Sequence, residues 1–146
     1  VNMSTRAQIK ITDSFGQELW FYRHSDGYPD GTLPTLQKFL DWVKAGKIRD
    51  NVEQAAGWLI LIGAEEYGKT YDYKTRTSSP KATLTEPLDD ALSGWKCGAY
   101  EPCACGSLHG DIEYLYTVSL KNKEIRIQSV RGCGDEQTLV DIEVSG

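Results

Sequence analysis

The chain has no apolar run long enough to span a bilayer. Its longest, AAGWLILIGA (Ala55 to Ala64), is about half of the roughly 20 residues a membrane helix needs, and it reads as a buried helix. The opening VNMSTRAQIK lacks the apolar stretch of a secretory signal, so a cytoplasmic setting with no membrane contact is expected. That setting disfavours persistent disulfides despite four cysteines. Basic charge is in deficit as well: 16 Lys and Arg against 21 Asp and Glu leave a net charge of −5, which argues against direct nucleic-acid binding. Acidic residues never run five or six together, so a nucleic-acid-mimicking surface is not indicated either. Neither a G-x-G-x-x-G nor a P-loop spacing occurs, which removes the two commonest nucleotide-binding signals. There is no internal repeat and no low-complexity tract. Histidine is limited to two residues.

What is present is patterned. RAQIKIT (Arg6 to Thr12) alternates, with Ala7, Ile9 and Ile11 on one face, and predicts a half-buried strand. The turn-forming DSFGQ leads into ELWFYRH, an aromatic-rich extended segment that pairs back as an antiparallel hairpin. In it Trp20, Tyr22 and His24 share one face; Leu19, Phe21 and Arg23 share the other. SDGYPDG ends the strand, because Gly27, Pro29 and Gly31 cannot continue a ladder.

TLPTLQKFLDWVKAG predicts a helix capped at Thr32 or Leu33, with Pro34 near its first turn and Gly46 just past its end, and with Leu33, Leu36, Phe39, Leu40 and Val43 as its buried stripe. A second helix follows KIRD, where Asp50 and Glu53 fit a capping box. Its buried face carries Val52, Ala55, Ala56, Leu59, Ile62 and Gly63, widened by Trp58, Ile60 and Leu61, so it is expected to lie against the sheet. Residues 69–93 are polar, carry Pro80 and Pro87, and read as a long loop in which only EPLDDAL hints at a helical turn. DIEYLYTVSL, EIRIQSV and TLVDIEV then supply three more strands. The expected fold class is α+β, over residues 3–146 as one domain, with Val1 and Asn2 ahead of Met3 left outside it. An antiparallel sheet of about four to five strands, in ββ-αα-βββ order, packs against two helices.

Three groups of side chains could carry chemistry. The first is the pair of histidine neighbourhoods, RHSDGY and LHGDIE. Were the two strand ends adjacent, His24, Asp26, His109, Asp111 and Glu113 would converge, and imidazoles beside carboxylates can bind a divalent metal or exchange protons near neutrality. The competing reading makes Asp26-Gly27 a turn dipeptide and places Glu113 on a solvated strand face. The second group is Cys97, Cys103, Cys105 and His109, four donors that could satisfy tetrahedral zinc, with Cys133 further on. Their C-x5-C-x-C-x3-H spacing departs from the usual knuckle, and a Gly-rich loop that happens to hold thiols explains them equally. The third is aromatic: Trp20, Tyr22 and Tyr28, beside Arg23 and His24, suit an exposed recognition surface or a shallow small-molecule pocket, whereas Tyr114 and Tyr116 suit the core.

Four stretches, MSTRAQI, YRHSDGYPDG, QAAGWLILIGAEEY and LHGDIEYLY, are spread over most of the chain. As a set they resemble a family of small bacteriophage and prophage proteins. The resemblance implies an accessory product acting in the host cytoplasm, and it carries no catalytic residues to transfer. By analogy with the setting of such genes, it implies a binding protein that antagonises a host defence component, as an anti-CRISPR inhibitor does. Such a protein would present the His24–Tyr28 turn and the 69–93 loop to a host protein. The absence of a complete catalytic constellation points the same way. The alternative is a small metal- or nucleotide-binding protein or hydrolase built on His24 with Asp26 and His109 with Glu113. A third reading is a zinc-stapled domain.

Overall fold

A computed structural model describes residues 5–67, 69–72, 77–80, 99–104 and 106–142. Alternation builds β1 (Ala7–Thr12), whose Ala7, Ile9 and Ile11 are fully buried, and β2 (Glu18–Arg23) pairs with it antiparallel. Asp13 shapes the intervening turn. One carboxylate oxygen accepts from the Phe15 and Gln17 N–H groups at 2.9 and 3.1 Å, and the other from Val52 N–H at 3.0 Å. Burial works against its charge, but these backbone donors hold the carboxyl below its ordinary value.

Helix α1 (Pro29–Lys44) is capped by Tyr28 and not by the expected Thr32 or Leu33, with Pro29 in its first turn, where a missing N–H costs nothing. Thr32 is buried instead, its hydroxyl donating to the Asp26 carbonyl at 2.8 Å. Helix α2 (Val52–Tyr67) is capped by Asn51, whose Oδ1 accepts from the Glu53 and Gln54 N–H groups, and not by Asp50. Asp50 is diverted to the hairpin, where its carboxylate accepts from the Ser14 N–H and hydroxyl. The expected buried face of α2 is observed, but the widening is not uniform: Ile60 is half-buried while Trp58 and Leu61 face water.

The segment expected to be a loop begins with a hairpin, β3 (Lys69–Asp72) against β4 (Thr77–Pro80). Residues 81–98, with EPLDDAL, lie outside the described residues. Then come β5 (Glu101–Pro102), β6 (Tyr114–Ser119), β7 (Glu124–Arg131) and β8 (Thr138–Ile142). Six strands form one sheet in the order β5-β2-β1-β6-β7-β8. The α+β class holds, but the expected purely antiparallel sheet of four to five strands does not. β1 and β6 run parallel, because the chain between β2 and β6 carries the helices and re-enters beside β1 in the same direction.

The helices cover one face. Ile9, Phe21, Leu36, Leu59 and Tyr116 anchor that core. Under it lies a charge: Arg23 is 1% exposed and grips Glu66 of α2 with two bonds of 3.1 and 2.7 Å, while its Nε donates to the Ser25 carbonyl. Thr35 donates to the same carboxylate at 2.5 Å, and the Tyr100 ring lies beneath the guanidinium. Tyr100 reaches this place because Gly63 has no side chain; a Cβ there would sit 2.8 Å from its ring and 3.0 Å from its backbone nitrogen. The opposite face holds a second, smaller core of Tyr22, Ile112, Leu115 and Val130. Among the described residues no helix is long and apolar enough to cross a membrane.

Candidate functional site

The second core exists because a strap, residues 103–104 and 106–113, crosses the helix-free face at one end. Strand pairing lines up Glu101, Tyr22, Gln8, Leu115 and Gln128 in a single row across the sheet, so their side chains stand on this face. The strap leaves β2 where the Cys103 N–H donates to the Trp20 carbonyl at 2.9 Å, and it passes the Trp20 indole at Gly106. It meets β1 at Gln8, which is completely buried. The Gln8 amide donates to the Ser107 carbonyl at 3.0 Å and accepts from the His109 N–H at 2.8 Å, as a strand neighbour would. Gln137 then donates to the His109 carbonyl at 2.7 Å and ties the strap to the β7–β8 connection.

Fixed in this way, His109 lies on the Tyr22 ring: the centroids are 4.9 Å apart and the planes 29° from parallel. His24, two residues beyond Tyr22 on the same face, meets the same ring edge-on at 4.5 Å. Tyr22 therefore sits between the two imidazoles, and these can be no farther apart than the sum of those separations. The Tyr22 hydroxyl and the His24 ring each have a hydrogen-bond partner, and His109 is held through its backbone. His24 Nε2 lies 3.2 Å from Glu101 Oε2, and both side chains are partly exposed. The Tyr22 hydroxyl donates to Asp111 Oδ2 at 2.8 Å, and Arg6 Nε stands 3.5 Å from that same oxygen.

Burial pushes the Tyr22 hydroxyl well above the ordinary tyrosine value, and the Asp111 hydrogen bond and charge push it further, so it stays neutral. Burial does the same to Tyr116 and raises Tyr100 to about 12. A tyrosine whose pKa is raised in the folded chain contributes stability that is complete below the unfolded value and is lost as pH rises beyond it. Stability is therefore expected to be level up to about pH 10 and to fall above it, with these three of the eight tyrosines ionising only as the chain unfolds. Absorbance at the tyrosinate band against pH, read beside circular dichroism, checks this. Three hydroxyls titrating early, with the fold intact, would contradict it.

Of the residues expected from sequence, the structure brings together Tyr22, His24, His109 and Asp111. Trp20 stands next along β2, partly buried, with its indole N–H on Glu18 and the Lys10 ammonium over its ring. Arg23 does not belong: it faces the helices and is consumed by Glu66, so its expected place on an exposed surface is corrected. Tyr22 is itself only 7% exposed and presents its ring through the histidines. Asp26 and Tyr28 bond to each other at 3.2 Å in the turn before α1, so Asp26 is not the carboxylate of His24.

That turn is clamped from both sides. The Gly27 N–H donates to the Thr5 carbonyl, the Tyr116 hydroxyl donates to the Gly27 carbonyl, and a Cβ at Gly27 would lie 2.8 Å from the Ala7 side chain. Glu113 contributes its backbone, bonding Arg6 and Val130, and leaves its side chain exposed. Sequence reasoning missed Glu101, Gln8 and Arg6. Only Gln8 gave a signal, as an amide between fully apolar neighbours.

Of the zinc candidates, Cys103 is half-buried and accepts a 3.5 Å hydrogen bond from Gln8, while Cys97 and Cys105 lie outside the described residues; Cys133, further on, is exposed. Among the described residues no group of three or more His, Cys, Asp or Glu could hold a metal ion. Chemically the cluster is a half-exposed aromatic and imidazole surface with oriented carboxylates. It offers hydrogen bonds and stacking, and among its described residues no nucleophile stands beside an activating base. Comparison with protein-family models, with curated proteins and with solved structures gives no match.

Proposed function

We propose that the chain is a non-enzymatic binding protein whose recognition surface is the Tyr22–His24–His109 cluster with Trp20 beside it. In this reading its occupant is a host protein, and binding antagonises a host defence component, the setting that the resemblance to phage proteins implies. The observation that carries the reading is that each member of the cluster is fixed in place. Tyr22 is held neutral on Asp111, His24 faces Glu101, and the strap that carries His109 is pinned by Gln8. Groups so engaged make a rigid surface, and rigid aromatic surfaces with polar tips suit protein recognition. A net charge of −5 favours a protein partner over nucleic acid. The cytoplasmic setting belongs to the same proposal.

The test compares the parent chain with a Trp20→Ala/His24→Ala double variant and with Lys121→Ala, a change in the exposed β6–β7 turn, as baits in host lysate. A stoichiometric partner retained by the parent and by Lys121→Ala, and lost by the double variant, supports the surface. Equal capture by all three contradicts it. A second reading, a small hydrolase, rests on the half-exposed His24–Glu101 pair. It requires turnover that His24→Ala abolishes.

A further inference from the structure

Strand β8 closes one side of the sheet, and among the described residues it pairs only with β7. An edge strand presents unpaired N–H and C=O groups, and protein sheets commonly blunt such edges with proline, bulges, outward charges or a short strand. The opposite edge follows that rule, since β5 has two residues and one of them is Pro102. β8 does not. Its five residues, TLVDI, keep unbroken register with β7 and contain no proline. Leu139 and Val140 put large apolar side chains on opposite faces, 41% and 42% exposed. Its one charge, Asp141, is engaged by Arg126 of β7 in a two-pronged pair of 2.8 and 3.1 Å, so it no longer guards the edge.

We infer that β8 is a self-association edge on which a second copy of this chain adds its own β8 antiparallel, centred on Val140. The sequence of the strand is what selects a second copy. Placed across a two-fold axis at Val140, the strand opposes Val140 to itself and Thr138 to Ile142 on one face, and Leu139 to Asp141 on the other. No like charges meet, and the only carboxylate arrives already neutralised by Arg126. Two six-stranded sheets then become one of twelve. β2 and β5 lie at the far side of each sheet, so the dimer carries two copies of the surface proposed above, although the pairing stands without that reading. A contact of five residues per copy is small, so a weak dimer with a Kd of roughly 0.1 mM is expected.

Sedimentation equilibrium of the full chain between about 10 µM and 1 mM should show a reversible monomer–dimer equilibrium. Val140→Lys should weaken it at least about tenfold by setting two ammonium groups opposite each other, while Val140→Ile retains it. Because a lysine could disturb the strand itself, a Val140→Cys chain gives an independent reading. The two Cα atoms would stand about 4.5–5.5 Å apart, within disulfide reach, so mild oxidation should give a 140–140 link identified by peptide mass. A monomer at every concentration, a dimer indifferent to Val140→Lys, or a dimer linked elsewhere would each overturn the inference.

Discussion

Replacing Glu66 by alanine is expected to lower the stability of the fold by about 3 kcal/mol or somewhat more, the loss that follows when one partner of a buried ion pair is removed. Arg23 is 1% exposed and bonds to both helices, to Glu66 of α2 and to the Gly31 carbonyl of α1. Glu66 supplies two of its hydrogen bonds, and the same carboxylate holds the Thr35 hydroxyl. A quarter of the Glu66 side chain meets solvent, which places the effect toward the lower end of the range for fully buried pairs. Replacing both partners with apolar residues, Arg23→Met with Glu66→Leu, is expected to cost far less, because no charge is left behind. Urea denaturation of the three chains tests the account. A Glu66→Ala midpoint within experimental error of the parent would mean that Arg23 is not buried as described.

The second large effect is expected at Gln8. Gln8→Leu keeps the size and burial of the side chain but removes the amide donor to the Ser107 carbonyl and the acceptor of the His109 N–H, at a cost of about 2–3 kcal/mol. The consequence is local as well as global. The strap loses its anchor on β1, His109 leaves the Tyr22 ring, and the His109 amide should exchange roughly a hundredfold faster. Under the proposed function, partner capture should fall with it although no exposed residue has changed. Unchanged exchange at His109 would show that the strap is held by something other than Gln8.

How far the sequence led is clearest at β2. Period-two alternation placed Trp20, Tyr22 and His24 on one face and Leu19, Phe21 and Arg23 on the other, and both assignments hold. Grouping Arg23 with the exposed aromatics rests on adjacency in sequence. Burial won because Glu66, 43 residues later, neutralises the guanidinium, and no local pattern announces a pairing of that reach. Leu115 tells the same story. Alternation puts it on one face with Asp111, Glu113 and Thr117, but the strap covers that face and buries Leu115, Ile112 and Val130. Helix existence was legible from periodicity. The start of α1 was not, since Tyr28 caps through backbone geometry without a side-chain bond. The parallel β1–β6 pairing depends on which side of β1 remains open after β2 has docked, a matter of tertiary assembly. Glu101, 77 residues from His24 on a two-residue strand, left no trace in the pattern.

The central claim is that one tyrosine ring brings two imidazoles from opposite ends of the chain into a single site. Proton–proton Overhauser contacts at the Tyr22 ring, recorded on the full chain with His24→Gln and His109→Gln variants to assign the imidazoles, test it most directly. The account predicts contacts from the Tyr22 ring to both imidazole rings at once, each disappearing only with its own substitution. Contacts to His24 alone, with His109 showing none, would separate the two segments and remove the proposed surface.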